Sequence, residues 1–113
     1  MKKEFLDYIE DIILAMDDAQ KFVRNMEFDA FVKDRKTIYA VIRALEIIGE
    51  AVKNIPAPIR NRYPQIPWKE MAGMRDKAIH EYFGVDLKRV WSTVTVDVPN
   101  LKPLFERILK NTE

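Results

Sequence analysis

The stretch DRKTIYAVIRALEIIGEAVKNI, residues 34–55, carries the strongest structural signal in this chain. Its apolar residues recur every three or four positions, which places them in one stripe along a helix. They are Ile38, Val41, Leu45, Ile48, Val52 and Ile55. The pattern predicts a long amphipathic helix. Gly49 interrupts it at a cost of about 1 kcal/mol relative to alanine, so we expect another helix, from this chain or a second copy, to approach closely there.

A second apolar stripe of the same kind precedes this helix and predicts another long helix over residues 3–26. Its members are Phe5, Ile9, Ile12, Met16, Ala19, Val23 and Met26. Two regular stripes of this length favour helices that pack lengthwise. Between them, the segment EFDAFVKD is expected to form one loose turn that carries Phe28 and Phe31 into the core.

The middle of the chain is divided by prolines. The segment PAPIRNRYPQIP, residues 56–67, contains four of them and predicts a connector with one short turn at most. Pro67 suits the first turn of a third helix. We expect that helix to run from about Trp68 to Tyr82 and to end before Gly84, with Asp86 as the N-cap of the next helix.

The C-terminal tail is harder to interpret. STVTVDV alternates as a strand does, but a helical stripe runs through it, and no partner strand is predicted elsewhere. The stripe comprises Leu87, Trp91, Val94, Val98, Leu101, Phe105 and Ile108. We therefore predict a helix that Pro99 and Pro103 bend or split. The expected fold is all-α: one domain over residues 1–113, an antiparallel bundle of about five helices.

Composition excludes several classes of function. The chain has no cysteine and one histidine, which excludes thiolate zinc sites and cysteine nucleophiles and disfavours a histidine-rich metal site. We expect no cofactor. Lysine and arginine total 19 against 18 acidic residues, so net charge gives no argument for nucleic acid. Acidic residues interrupt the apolar N-terminal stretch, from which we expect no signal peptide, no membrane span and a cytoplasmic location.

The single histidine, His80, lies in the segment RDKAIHEY, residues 75–82. On a helix, Arg75 and Tyr82 share one face, and Asp76 and His80 share another, where the carboxylate can orient or charge the imidazole. Arg75 and His80 are about 140° apart on a straight helix. Either the helix distorts near His80, or two copies of the chain meet with these segments facing each other.

The second arrangement would supply the groups that RNA cleavage requires. Attack by the ribose 2′-hydroxyl needs a base, an acid and a cation for the charge that develops on the phosphate. A two-fold dimer offers two histidines and two arginines, and arginine binds phosphate oxygens bidentately. The alternative is that Arg75 and His80 are merely solvated at a helix end.

RDKAIHEY resembles the R-x4-H-x-Y signature of HEPN-domain proteins, and specifically the HepT toxins of HepT/MNT toxin–antitoxin pairs. The segments ALEIIGEAVKNIP and RYPQIPWKEMAGMRDKAIHEYFGVDL and the helical tail are similar to that family as well. The resemblance therefore covers most of the chain.

The resemblance implies a helical HEPN-like bundle that dimerises with the motif at a cleft on the two-fold axis. It implies a type VII-like toxin that cleaves RNA without a metal ion, with Arg75 and His80 as the catalytic pair. It also implies a cognate MNT nucleotidyltransferase that neutralises the toxin by AMPylation of Tyr82.

One residue departs from the family pattern. HEPN nucleases often have asparagine after the arginine, where this chain has Asp76. A carboxylate beside the scissile phosphate is repulsive unless it pairs with His80 or Arg75. A catalytically silent dimeric module, which docks the nucleotidyltransferase and is modified by it, therefore stays open as an alternative function.

Several other polar and aromatic residues are expected to have structural or solvent-facing roles. Tyr63, Trp68 and Trp91 are interpreted as packing aromatics rather than base-stacking platforms. For Arg60, Arg62 and Lys69, guidance of RNA and simple solvation are equally compatible with the sequence. Glu46 and Glu50 lie one helical turn apart near Gly49, and we expect them to be solvated.

Overall fold

The computed structural model describes residues 4–74 and 86–112, and across these ranges the chain is helical and contains no strand. The described ranges contain seven α-helices: α1 (Phe5–Phe22), α2 (Phe28–Phe31), α3 (Arg35–Lys53), α4 (Ala57–Arg62), α5 (Trp68–Ala72), α6 (Leu87–Ser92) and α7 (Val98–Thr112). A π-helical turn, Thr93–Asp97, joins α6 to α7. The all-α HEPN-like bundle predicted from the sequence is confirmed.

The helix α3 packs against both α1 and α5, and α1 also packs against α7. The predicted α3 stripe is buried, and its residues from Ile38 to Val52 are at most 5% exposed. Gly49 is buried on the same helix. The core joins the stripes of α1, α3 and the C-terminal tail in one cluster. Since α3 contacts helices on two sides, its burial sets the arrangement of the bundle.

The ends of the two long helices are determined by local hydrogen bonds. α1 begins with a capping box in which the Asp7 carboxylate accepts the Glu4 N–H. It ends four residues before the predicted boundary at Met26, because Asn25 adopts a positive φ of 63°, which a helix does not allow. α3 begins after Asp34, whose carboxylate accepts the Thr37 N–H at 3.1 Å.

The segment between the long helices forms a single helical turn, α2, as predicted. Phe31 is fully buried, and Phe28 is half-buried. Both rings pack against Trp91, at centroid separations of 5.1 Å for Phe31 and 6.1 Å for Phe28. The two phenylalanines therefore tie the α1–α3 connection to the C-terminal tail.

The proline-rich connector contains more helix than predicted. α4 has six residues, because Pro58 falls in its first turn, where a missing N–H breaks no helical bond. The helix stops at Tyr63, which precedes Pro64 and is therefore disfavoured from helical geometry. Pro67 is the N-cap of α5, one position before the expected first turn.

The tail is helical, as predicted, and is divided where its prolines begin. Pro99 cannot donate a backbone hydrogen bond, and the π-helical turn ends two residues before it. Val90, Val94 and Val98 nevertheless keep one fully buried line across the turn. Lys102 of α7 pairs with Asp17 of α1, and this hydrogen bond raises the pKa of Lys102.

We predict that Ile48→Ala lowers the free energy of unfolding by about 2–5 kcal/mol, because it opens a cavity in the core. Ile48 is 0% exposed, whereas Leu14 on α1 is 61% exposed. The matched control Leu14→Ala should change the value by less than about 0.5 kcal/mol. Urea unfolding measures both, and equal effects would contradict a core centred on α3.

Candidate functional site

The four residues predicted to form the site, Arg75, Asp76, His80 and Tyr82, lie outside the described residues. The same holds for the predicted end of the third helix before Gly84. The prediction of one continuous helix from about Trp68 was wrong within the described residues, since α5 ends at Ala72 with Gly73 as its C-cap. The structure does describe Met74 and Asp86, which flank this segment on its two sides. The described residues therefore show the surroundings of the predicted site.

The helix that leads into the segment is held by Trp68. This side chain is 8% exposed, and its indole N–H donates to the backbone carbonyls of Arg60 at 3.1 Å and Tyr63 at 3.0 Å. These carbonyls belong to the end of α4, where helical partners are missing. The ring of Trp68 also packs edge-on against Phe105 of α7, with centroids 5.6 Å apart. One residue thus connects α4, α5 and α7.

The helix that follows the segment begins at a defined cap. The Asp86 carboxylate accepts the Arg89 N–H at 3.2 Å, so the predicted N-cap is confirmed. Arg89 belongs to the first turns of α6 and is exposed. The chain therefore leaves the segment with a fixed direction.

A cavity of about 310 Å³ lies where α3, α5, α6, the π-helical turn and α7 meet. Its apolar lining in the described ranges includes Leu45, Met71, Met74 and Leu101. Met74 directly precedes Arg75 in the sequence, so the cavity reaches the last described residue before the predicted catalytic segment.

The cavity also has polar residues, and these come from both sides of the segment. They are Glu70, Arg89, Thr93, Asp97 and Asn100. The Thr93 hydroxyl donates to the Arg89 carbonyl at 2.9 Å, a bond that competes with regular helix geometry. An apolar lining with a few polar groups is typical of sites for small organic groups.

Sequence reasoning missed Arg89, Asp97 and Asn100 as candidate site residues. A signal was present, because Arg89, Thr93, Asp97 and Asn100 recur at helical spacing in the tail. That spacing defines a polar face next to the apolar stripe, but it does not tell a solvated face from the wall of a cavity.

The aromatic residues interpreted as packing groups do have structural roles. Trp68 is buried, Trp91 packs against α2, and Tyr63 is partly buried against the core. The basic residues Arg60, Arg62 and Lys69 are exposed. Glu46 and Glu50 are half-buried on α3 rather than fully solvated, so that expectation needs correction. Buried residues of α3 lie next to both glutamates in the sequence, so part of each side chain is shielded from water.

Within the described ranges no helix is long and apolar enough to cross a membrane. The family model for HepT-like proteins, described as Ribonuclease HepT-like, matches residues 12–108 of this chain. The chain belongs to this family.

Curated relatives agree with the family assignment. A Thermococcus cleftensis protein named Probable ribonuclease HepT is 54% identical over 110 residues, which cover 97% of this chain and 100% of the relative. A Methanocaldococcus jannaschii protein, named Putative RNase MJ1216, is 50% identical over 112 residues, or 99% of this chain and 93% of the relative. No solved structure matches the chain.

We predict that Trp68→Phe lowers the free energy of unfolding by about 0.5–1.5 kcal/mol, because the indole N–H bond is lost while each carbonyl keeps a backbone N–H donor and most of the ring volume stays. The matched control is Tyr63→Phe, which keeps the Tyr63 carbonyl and should have a smaller effect. Urea unfolding monitored by far-ultraviolet circular dichroism measures both. An unchanged value for Trp68→Phe would mean that water replaces the indole N–H at the α4–α5 junction.

Proposed function

We propose that this protein is a metal-independent endoribonuclease and the toxin of a HepT/MNT pair. The observation that supports it is the family match over residues 12–108, since that range contains Arg75 and His80 at the R-x4-H spacing. The absence of cysteine and the single histidine favour a mechanism that uses the substrate's own nucleophile.

In this mechanism the ribose 2′-hydroxyl attacks the neighbouring phosphorus atom and gives its proton to a neutral imidazole. The bond from phosphorus to the 5′-oxygen breaks, and a protonated imidazole gives that oxygen a proton. Arg75 binds the non-bridging oxygens, where negative charge develops. The products are a 2′,3′-cyclic phosphate and a 5′-hydroxyl end.

The proposal includes a homodimer, because one chain has one histidine and the reaction needs both a base and an acid. A two-fold axis brings the same surface of both copies together, so it doubles the groups available. It also accounts for the angle of about 140° between Arg75 and His80 on a straight helix, since the arginine of one copy can face the histidine of the other.

The proposed antitoxin is an MNT nucleotidyltransferase that attaches AMP to the Tyr82 hydroxyl. The oxygen of Tyr82 forms a bond to the α-phosphorus of ATP, pyrophosphate leaves, and the phenolic proton is lost. The product carries a negatively charged phosphodiester on the helix face that Tyr82 would share with Arg75, about two turns away, where it would compete with RNA for the guanidinium and repel the RNA backbone.

We expect Arg75→Ala and His80→Ala each to abolish RNA cleavage that persists in excess chelator, without loss of folding. Arg24→Ala, at an exposed position beyond the end of α1, is the matched control and should cleave as the parent does. The assay is degradation of RNA by the purified protein, followed by analysis of the ends formed. Full activity of His80→Ala would refute the nuclease assignment and leave the silent binding module.

Mixing the parent with His80→Ala extends this test to the composite site. Since the proposed reaction uses the histidines of both copies, a mixed dimer has no intact site. Random reassortment of equal amounts should then leave roughly a quarter of the activity of the same total amount of parent. Retention of half would mean that each site needs only one histidine. Asp76→Asn should preserve or raise activity, and a loss would mean that Asp76 orients His80.

We expect the cognate nucleotidyltransferase, with ATP and magnesium, to add one AMP to Tyr82 and to abolish cleavage. Tyr82→Phe should fold, escape modification and stay toxic in the presence of the antitoxin, because it lacks the accepting hydroxyl. Tyr39→Phe, which alters an exposed tyrosine on α3, is the control and should still be modified. Mass mapping of the adduct decides, and modification at another residue would exclude Tyr82 as the switch.

A further inference from the structure

We infer that the cavity between α5 and the π-helical turn binds one unpaired base of the RNA beside the scissile phosphate, and that Asp97 and Asn100 select a base with an exocyclic amino group. The inference rests on the proposed ribonuclease function and adds to it a source of sequence preference.

The position of the cavity supports this assignment. Met74, on the near side of the segment 75–85, lines the cavity. Arg89 lines it from the far side, and the cap that Asp86 provides to the Arg89 N–H ties that residue to the end of the segment. Both described flanks of the segment thus lie at one cavity, and the segment between them contains Arg75, to which the proposed function assigns the phosphate.

The size of the cavity limits what it can hold. A volume of about 310 Å³ is at the lower end of the range for ligand pockets, which run from about 300 to 1,000 Å³. It suits one planar base and excludes a helix of RNA. Met74 and Leu101, which are half-buried, provide apolar contact for the faces of a base, and Leu45 and Met71 belong to the lining but are almost fully buried. Recognition of single-stranded RNA generally works through such unstacked bases.

The charges around the cavity favour a base over a phosphate. Among the described lining residues, Asp97 and Glu70 contribute two carboxylates and Arg89 contributes one guanidinium. Ionised carboxylates only accept hydrogen bonds, so they repel phosphate oxygens and attract N–H donors. Adenine, cytosine and guanine each carry an exocyclic amine, and uracil has none. Pairing of acidic side chains with the cytosine amine is a known mode of base recognition.

The first experiment tests binding without cleavage. The ε-methyl groups of the methionines are labelled with ¹³C in the His80→Ala protein, and oligocytidylate or oligouridylate with methylated 2′-hydroxyls is added. Met71 and Met74 line the cavity, whereas Met16, which is as deeply buried as Met71, lies on α1 outside the described lining and serves as the internal control. We expect oligocytidylate to shift the Met71 signal with at least about five-fold higher affinity than oligouridylate, while Met16 does not move.

The second experiment measures the base preference of the cleavage reaction. The parent protein cuts a randomised RNA pool, and the ends formed are sequenced. Uracil should be depleted at one fixed position near the cut. Asp97→Asn should weaken that depletion, and Leu101→Trp should abolish it by filling the cavity. The matched control is Asp18→Asn, which changes a carboxylate at a different groove, between α1 and α3.

The outcomes separate this inference from the proposed function. Cleavage with no base preference, and with the Met71 signal unchanged, overturns the base site and leaves the ribonuclease intact. A base-selective Met71 shift in a parent protein that does not cleave RNA supports the base site and refutes the nuclease. Neither cleavage nor a Met71 shift refutes both. A Met71 shift of equal affinity for both oligonucleotides overturns the selectivity assigned to Asp97 and Asn100.

Discussion

Burial of one face of α3 is the constraint on which the other helices depend. Val41 and Ile48 are fully buried on that face, and each such side chain contributes roughly 1.5–3 kcal/mol relative to an exposed one. α1 and α5 both pack against α3. Because α5 leads directly to Met74, the entry into the predicted catalytic segment is positioned by the packing of α3.

Two further contacts fix the chain on both sides of the segment 75–85. The indole N–H of Trp68 fixes α5 to the end of α4, and the Asp86 carboxylate fixes the start of α6. The first joins a side chain to carbonyls at the end of α4, and the second is an N-cap bond at the start of α6. A functional site works best when its supporting elements are rigid. The prolines of the connector serve the same purpose, since they end α4 at a defined residue.

The sequence predicted the features of the fold that depend on local periodicity. The stripes of α1 and α3, the turn around Phe31 and the Asp86 cap were all predictable, because each requires only neighbouring residues. The early end of α1 at Asn25 depends on one backbone angle that apolar spacing does not encode. The π-helical turn could not be predicted from the sequence either, because Val90, Val94 and Val98 have the spacing of a regular α-helix. Pro99 indicated a disturbance but not its form.

The candidate site likewise has one part that the sequence predicts and one part that it does not. Arg75 and His80 could be selected from the sequence, since their motif is local and the family match spans it. The cavity could not, because Leu45 and Leu101 are 56 positions apart in the numbering and meet only after the bundle has formed. Long-range contacts of this kind leave no periodic trace in a single sequence.

The charge balance of the chain indicates how such a protein can hold RNA. With a formal net charge of +1, it has no large excess of the basic residues from which non-specific nucleic-acid binding derives its affinity. The carboxylates of Glu70 and Asp97 beside the cavity reduce phosphate attraction further. Few phosphate contacts make binding weak and only mildly dependent on salt, so base contacts must supply a larger share of the affinity. A ribonuclease of this kind would discriminate among RNAs, because the base contacts that provide the affinity also depend on the identity of the base.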